Sequence, residues 1–264
     1  MLKRIRTLLQ PRAPLPNSRV DSDGFVYVTE IDAEALRSVS VGATVRNSNA
    51  APPWIVVNHS LAAVLVSRWP GRLLRVKILE KAKEQPMAYA NYTRATAVVV
   101  VEELTASSLL GKHGVLLAEV LGRISTLTRD EAFALSVALQ PQSREVYSNA
   151  WKKWLTKVDG NSVYLGASQE DTLQIRVGHE VSPVGYALSL VSSMILNRGQ
   201  VVNGPAAITV DEEGEIELQS PWSGAATALM HATMAYGAPD LLTLEDAVVL
   251  KFPWDTVMKE PTGS

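Results

Sequence analysis

The spacing of hydrophobic residues changes near residue 105 of this chain. Before that point apolar residues tend to alternate with polar ones, and within segment 73–79 Leu74, Val76 and Ile78 fall on one face of a predicted strand. After it, apolar residues from Leu116 to Ile124 recur every three to four positions, as they do on one face of a helix. The pattern therefore predicts a β-rich first part and a helix-rich second part.

Three further segments of the first part have the composition of strands. Residues 25–28 and 54–57 are short runs of β-branched, aromatic and aliphatic side chains that follow turn-forming residues. Residues 95–103 contain four consecutive valines, which predicts a strand buried on both faces. Residues 82–92 predict a loop, and whether strands 73–79 and 95–103 pair as a hairpin stays open.

Capping and turn residues mark the boundaries of the helical part. Thr128 and Glu131 match the capping box, in which each side chain accepts a hydrogen bond from the other residue's backbone N–H. Ser-Pro pairs at 182 and 220 each predict the start of a helix, with ends near Gly199 and Gly237. Residues 206–219, between these helices, predict a β-hairpin that turns at an acidic segment.

These elements predict an α+β fold, with a β-rich N-terminal half of mostly antiparallel sheet and a helix-rich C-terminal half that contains a β-hairpin. Residues 1–24 are predicted to form an extended, basic, proline-rich arm. Residues 25–264 are predicted to form a single α+β domain. The change of spacing near residue 105 leaves open a subdivision into 25–104 and 105–264, although no linker rich in Pro, Gly or Ser separates the two parts.

The first twenty residues carry only positive charge. Their cations are Lys3, Arg4, Arg6, Arg12 and Arg19, and no acid precedes Asp21. Leu2, Ile5, Leu8 and Leu9 are spaced as in a short amphipathic helix. A secretory signal is not expected, because the apolar stretch after the charges is too short. An organelle transit peptide stays open as an alternative.

The amino-acid composition mainly excludes classes of protein and of chemistry. The chain has 25 basic and 27 acidic residues and a net charge of −2. This charge balance is not that of a protein whose main function is to bind the nucleic-acid backbone. No stretch approaches the run of about 18 apolar residues that spans a membrane. The absence of cysteine excludes disulfides, thiol nucleophiles and cysteine-ligated metals. We therefore predict a soluble, cytoplasmic protein with neither a nucleic-acid nor a membrane partner.

The motifs of common cofactor-dependent enzymes are missing. The chain has no G-x-G-x-x-G turn, no phosphate loop around Gly111-Lys112 and no G-x-S-x-G elbow. Its four histidines lie too far apart in sequence to place two imidazoles on one helix face. We predict neither a cofactor nor a metal site.

The richest polar cluster surrounds a Trp-Pro-Gly turn. Its members are Arg68, Trp69, Arg72 and Arg75, together with Tyr92 and Arg94 further along the chain. Guanidinium groups bind phosphate or carboxylate, and aromatic rings offer stacking faces. If the two neighbouring strands pair, these residues are expected to converge at one sheet end as an anion or nucleotide pocket. A protein interface and a turn with Arg stems packed on aromatic rings stay open as alternatives.

Glu102 and Glu103, at the end of the valine-rich strand, are the candidate catalytic residues. Adjacent residues on a strand point to opposite faces, so the two cannot act as a pair on one substrate. Either one would serve as a general base if it faced a cleft that raised its pKa. The alternative is a carboxylate solvated at the strand end.

Two functions from different classes follow. The first is a non-catalytic macromolecular binding protein, such as an adaptor, an assembly subunit or a toxin inhibitor, whose partner is another protein or a second copy of the chain. The second is an enzyme acting on a phosphorylated or nucleotide-like substrate, with an Arg-rich pocket for a small anionic ligand. The lack of a recognisable catalytic constellation favours the first, and whether the chain is an enzyme stays open.

Overall fold

A computed structural model describes residues 23–47, 52–87, 90–158, 163–164, 174–175 and 182–259. The protein is 50% helical and 21% strand, with antiparallel sheet in the N-terminal half and helices with a β-hairpin in the C-terminal half, which confirms the predicted α+β class. The predicted arm lies outside the described residues up to residue 22, and the first strand already begins at Asp23.

The elements follow one another in two groups. The first group is β1 (Asp23–Val28), α1 (Glu34–Arg37), β2 (Thr44–Arg46), β3 (Ile55–Asn58), β4 (Arg72–Lys81) and β5 (Tyr92–Leu104). The second group is α2 (Gly114–Ile124), α3 (Arg129–Val137), α4 (Ser143–Val158), β6 (Val163–Tyr164), β7 (Gln174–Ile175), α5 (Ser182–Asn203), β8 (Ile208–Val210), β9 (Ile216–Leu218), α6 (Trp222–Gly237) and α7 (Leu244–Val257).

Strands β1 to β5 close into a small antiparallel barrel. β4 pairs with β5 along most of its length, and β1 pairs with the other edge of β4. β3 pairs with β5 and meets β1 where Phe25 lies opposite Asn58, which completes the ring. β2 pairs with β5 next to β3.

The barrel interior is aliphatic. It contains Val26, Val28, Leu36, Val39, Val45, Ile55, Val57, Leu74, Val76, Ala95, Val98 and Val100. Val98 and Val100 face this interior, whereas Val99 is half-buried and Val101 is 39% exposed. The prediction that the valine run is buried on both faces is therefore wrong, because the outward side chains of β5 reach solvent at its end.

A second core joins the barrel to the helices. Leu73 of β4 and the loop residues Val64 and Val66 are buried in one cluster with residues of α2, α3, α5 and α6. At its centre lies α6, whose buried alanines allow close approach to neighbouring helices, with Trp222 fully buried at its start. The division of the chain into domains stays a prediction.

Sequence predictions were confirmed where the two residues or strands that interact lie close together in the chain. Thr128 and Glu131 form the predicted capping box, and β8 and β9 form the predicted hairpin. The predicted helix end at Gly199 is wrong, because α5 continues to Asn203. A Cβ on Gly199 would lie 3.2 Å from the Trp222 ring, so this glycine permits a close approach to that indole within the helix.

Candidate functional site at the charged end of the barrel

The register of β4 and β5 places Arg72 beside Glu103. Leu74 lies opposite Glu103, two residues along β4 from Arg72 and on the same face of the strand. Arg72 Nε donates to Glu103 Oε1 at 2.9 Å, and Nη2 donates to Oε2 at 2.6 Å. The guanidinium therefore holds this carboxylate with two parallel hydrogen bonds, the strongest geometry for such a pair.

Arg72 also fastens a loop to the barrel. Its Nη1 donates to the carbonyl of Arg37 at 2.6 Å, and its Nη2 donates to the carbonyl of Val39 at 2.9 Å. Together with the bonds to Glu103, these use four of its N–H groups. Arg72 thus ties the segment after α1 to β4 and β5, and little donor capacity is left for a ligand.

The pKa of Glu103 is shifted in the direction opposite to what a general base requires. The hydrogen bond from Arg72 lowers the pKa of Glu103, and the same bond raises the pKa of Arg72. Glu103 is therefore a stable carboxylate whose two oxygens are already occupied.

Arg75 and Glu102 form a second pair. The two residues lie directly opposite each other in the register, and Arg75 Nε donates to Glu102 Oε2 at 3.0 Å. Glu102 and Glu103 contact different arginines, as expected for neighbours that point to opposite faces of a strand. Neither carboxylate can act on a substrate unless its ion pair with arginine is first broken.

The Trp-Pro-Gly turn is held against β1. Arg68 Nη1 donates to Glu30 Oε1 at 2.9 Å, and the Tyr27 hydroxyl donates to the Arg68 carbonyl at 2.9 Å. A Cβ on Gly71 would lie 2.4 Å from the Tyr27 ring, so only glycine permits this approach. Trp69 is half-buried and packs against the helical core.

We use the name charged end for the set Glu30, Glu34, Arg37, Arg68, Arg72, Arg75, Glu102 and Glu103. The set contains four arginines and four glutamates, and the four ion pairs join Arg37 to Glu34, Arg68 to Glu30, Arg72 to Glu103 and Arg75 to Glu102. Its formal charge is zero. The charged end therefore offers no surplus of positive charge to attract a phosphate.

A shallow concavity of about 280 Å³ opens at the charged end. Its lining residues are Val28, Thr29, Glu30, Arg37, Pro70, Gly71 and Arg72. Ile31, next to this rim in the chain, is 67% exposed. The concavity combines apolar surface with paired charges, which is typical of a protein-binding surface.

Tyr92 and Arg94 lie at the other end of the barrel. Tyr92 is opposite Asn58, and the Arg94 guanidinium stacks 4.7 Å from the centre of the Trp54 ring. In an antiparallel pair the start of β5 meets the end of β4, far from Arg72. The predicted convergence of all six residues is therefore wrong, although Arg68, Trp69, Arg72 and Arg75 do lie near one end of β4.

Two features of the helical region were not predicted. A concavity of about 510 Å³ lies between α4 and α7, lined by Gln142, Glu145, Val146, Asn149, Lys152, Lys153 and Asp246. Six of these residues lie on or directly before α4, and helix packing brings Asp246 of α7 to them, a contact that the spacing of a single helix does not indicate. Lys153 Nζ donates to the carbonyl of Leu241 at 3.0 Å, which gives it a role in positioning the loop before α7.

The second feature is a buried aromatic group on α4 and α6. The rings of Tyr147 and His231 lie 4.8 Å apart, beside Trp151 and Trp154. The Tyr147 hydroxyl and His231 Nδ1 are buried, and neither finds a hydrogen-bond partner among the described residues. Burial raises the pKa of Tyr147 to about 12 and lowers the pKa of His231 to about 4, so both are neutral at pH 7.

Comparison of the chain with protein-family models, curated proteins and solved structures finds no match in any of the three. Within the described residues, no three His, Asp or Glu side chains are grouped so that they could hold a metal ion. No helix in the same part of the chain is both long and apolar enough to cross a membrane. Any function must therefore be argued from the geometry of this molecule.

Proposed function

We propose that this chain is a non-catalytic binding protein whose partner is another protein, and that the concavity at the charged end is the binding surface. The observation that carries the proposal is the pairing of all four arginines of the charged end with carboxylates. A phosphate-binding enzyme needs cationic donors that are free to meet its substrate. Here a phosphate would have to displace Glu103 from Arg72 first.

The same surface has properties that suit a protein partner. Arginines with apolar neighbours are enriched at the centres of protein interfaces, where the partner excludes water from the ion pairs. Ile31 supplies an exposed apolar side chain beside the rim. A concavity of about 280 Å³ has room for an aliphatic or aromatic side chain of a partner. The cytoplasmic location predicted from the sequence is part of this proposal.

Affinity capture with point variants tests the proposal. The immobilised wild-type chain is expected to retain a stoichiometric partner protein, and Ile31→Asp is expected to lose it. Val137→Asp is the matched control, since Val137 is equally exposed at 67% but lies on α3, away from the barrel. Equal retention by wild type and both variants would rule out this surface.

A ligand screen tests the enzyme alternative. Thermal unfolding in the presence of nucleotides, phosphosugars and inorganic phosphate is expected to show no stabilisation beyond that of a salt control. A ligand that raises Tm in the wild type, and loses that effect in Arg72→Gln or Arg68→Gln, would overturn the proposal in favour of an enzyme with an anionic substrate.

A further inference from the structure

The apolar face of the β8–β9 hairpin continues beyond the protein core. At its base Ile208 lies opposite Leu218, and both are half-buried against the helical core. Two residues further out, Val210 lies opposite Ile216 on the same face. These two side chains are 59% and 53% exposed, so the apolar stripe ends in solvent.

The tip of the hairpin is a hydrogen-bonded, acidic turn. Asp211 Oδ1 accepts hydrogen bonds from the N–H groups of Glu213 at 2.9 Å and Glu215 at 2.8 Å, and Gly214 has a φ of 84°, which favours glycine. The remaining carboxylates belong to Glu212, Glu213, Glu215 and Glu217, which are all exposed. None of the four pairs with a cation in the part of the chain that the structure describes.

We propose that the basic segment 1–20 of this same chain docks on the exposed apolar face of the β8–β9 hairpin. That segment has five cations and no acid, and its four aliphatic residues have the spacing of one apolar face. The hairpin offers the complement, which is two exposed aliphatic side chains beside the acidic tip, where Glu212, Glu213 and Glu215 have no cation partner among the described residues, while Glu217 lies on the opposite face. The aliphatic residues cover Val210 and Ile216, and the cations meet the glutamates around them.

Chain length permits the contact within one molecule. The aliphatic residues of the segment end at Leu9, and the thirteen residues 10–22 that link them to β1 extend to at most roughly 45 Å. A folded chain of this length has a radius of gyration of roughly 18 Å. The link is longer than twice this radius, which is compatible with docking within one molecule, and tethering raises the effective concentration of the segment at the hairpin.

Of the surfaces described above, the hairpin has the charge that best complements the basic segment. The charged end is neutral because each of its arginines has a carboxylate partner. The concavity between α4 and α7 is lined by two lysines and two acids, Glu145 and Asp246, so it offers no surplus of negative charge to a basic segment. The inference does not rest on the proposed function, since it concerns a different surface and a different occupant.

The absence of cysteine makes a direct test possible. Thr7→Cys introduces a single thiol, which is labelled with a nitroxide in the full chain. Paramagnetic broadening of backbone amide signals is then measured by NMR. We expect the amides of residues 208–218 to lose intensity severalfold, and more than the amides of the charged end.

Charge-reversal variants distinguish docking from random encounter. In the labelled chain, Glu212→Lys with Glu213→Lys, at the acidic tip, is expected to restore the hairpin signals. The matched control is Glu84→Lys with Glu119→Lys, which changes net charge equally at two other exposed glutamates and is expected to leave the broadening intact. Salt near 1 M, which screens charges beyond about 3 Å, is expected to restore the signals without any mutation.

Three results would overturn the inference. The first is the absence of broadening at the hairpin. The second is broadening that survives both the charge reversal and the salt titration. If the charge-reversed variant does not fold, broadening that survives the salt titration is sufficient to overturn the inference. The third is broadening that appears only when nitroxide-labelled and isotope-labelled chains are mixed, because the segment would then dock on a second copy.

Discussion

The barrel and the helical region use different side chains to solve the same packing problem. The barrel interior contains Val, Leu, Ile and Ala, and its ionic groups are paired at the charged end. The helical region buries Trp154, Trp222 and Trp254 almost completely. It also buries His231 Nδ1 and Trp222 Nε1, neither of which has a partner among the described residues.

The difference follows from what each architecture must fill. A closed barrel satisfies its backbone through strand pairing and leaves a narrow interior that β-branched residues fill. Helices leave irregular spaces between their axes, and large rings fill these spaces where small residues such as Gly199 allow close approach. We therefore expect the helical region to depend on few large side chains and the barrel on many small ones.

The largest expected effect compares one core residue from each region. Trp222→Ala is expected to lower the free energy of unfolding by about 4 kcal/mol, because it removes a fully buried ring. Val98→Ala, at an equally buried position in the barrel, is expected to cost about 2 kcal/mol. Urea unfolding of both variants measures the two losses, and equal losses would contradict the comparison.

The next effect concerns pH and involves His231 of the helical region. The pKa of His231 is about 4 in the folded protein, below the ordinary value of 6.5. As pH falls below 6.5 the unfolded chain binds a proton that the folded chain binds only near pH 4. His231 therefore removes about 3 kcal/mol of stability across this window, an effect that is absent above it.

Urea unfolding at several pH values checks this expectation. His231→Phe is expected to flatten the stability profile between pH 6.5 and 4. A profile for His231→Phe as steep as that of the wild type would show that other groups cause the loss.

A smaller effect separates the ion pairs of the barrel. Arg72→Gln is expected to cost about 1–2 kcal/mol, because it breaks the fork with Glu103 and two bonds to backbone carbonyls, and partial exposure screens the charges. Arg46→Gln breaks an exposed pair with Glu80 at 3.4 Å and is expected to cost less than about 0.5 kcal/mol. Thermal unfolding compares the two variants, and equal losses would remove the loop-fastening role assigned to Arg72.

The smallest expected loss of stability concerns the side-chain cap at the start of α3. Thr128→Ala is expected to cost about 1 kcal/mol, because the hydroxyl accepts the N–H of Glu131. Thr105→Ala is the matched control, since Thr105 precedes a short 3-10 turn without a side-chain cap bond and is expected to change stability little. A Thr128 loss no larger than that of Thr105, measured by thermal unfolding, would contradict the capping role.

The sequence predicted elements better than it predicted the site. The capping box and the β8–β9 hairpin depend on residues a few positions apart, so their signals are complete within a short segment. Gly199 was misread because its partner Trp222 lies on another helix. The candidate site residues were chosen by type, and Arg72 was not matched to Glu103, since that pair exists only in one register of β4 and β5.

Hydrophobic spacing, strand composition and capping residues were enough for the α+β class and for most helix and strand positions, because these signals act locally, whatever each element later packs against. Closure of the barrel, neutralisation of the charged end and burial of His231 beside Tyr147 depend on residues tens of positions apart. Such contacts are selected by the packing of the whole core, and a linear pattern does not specify which distant charges or rings will meet.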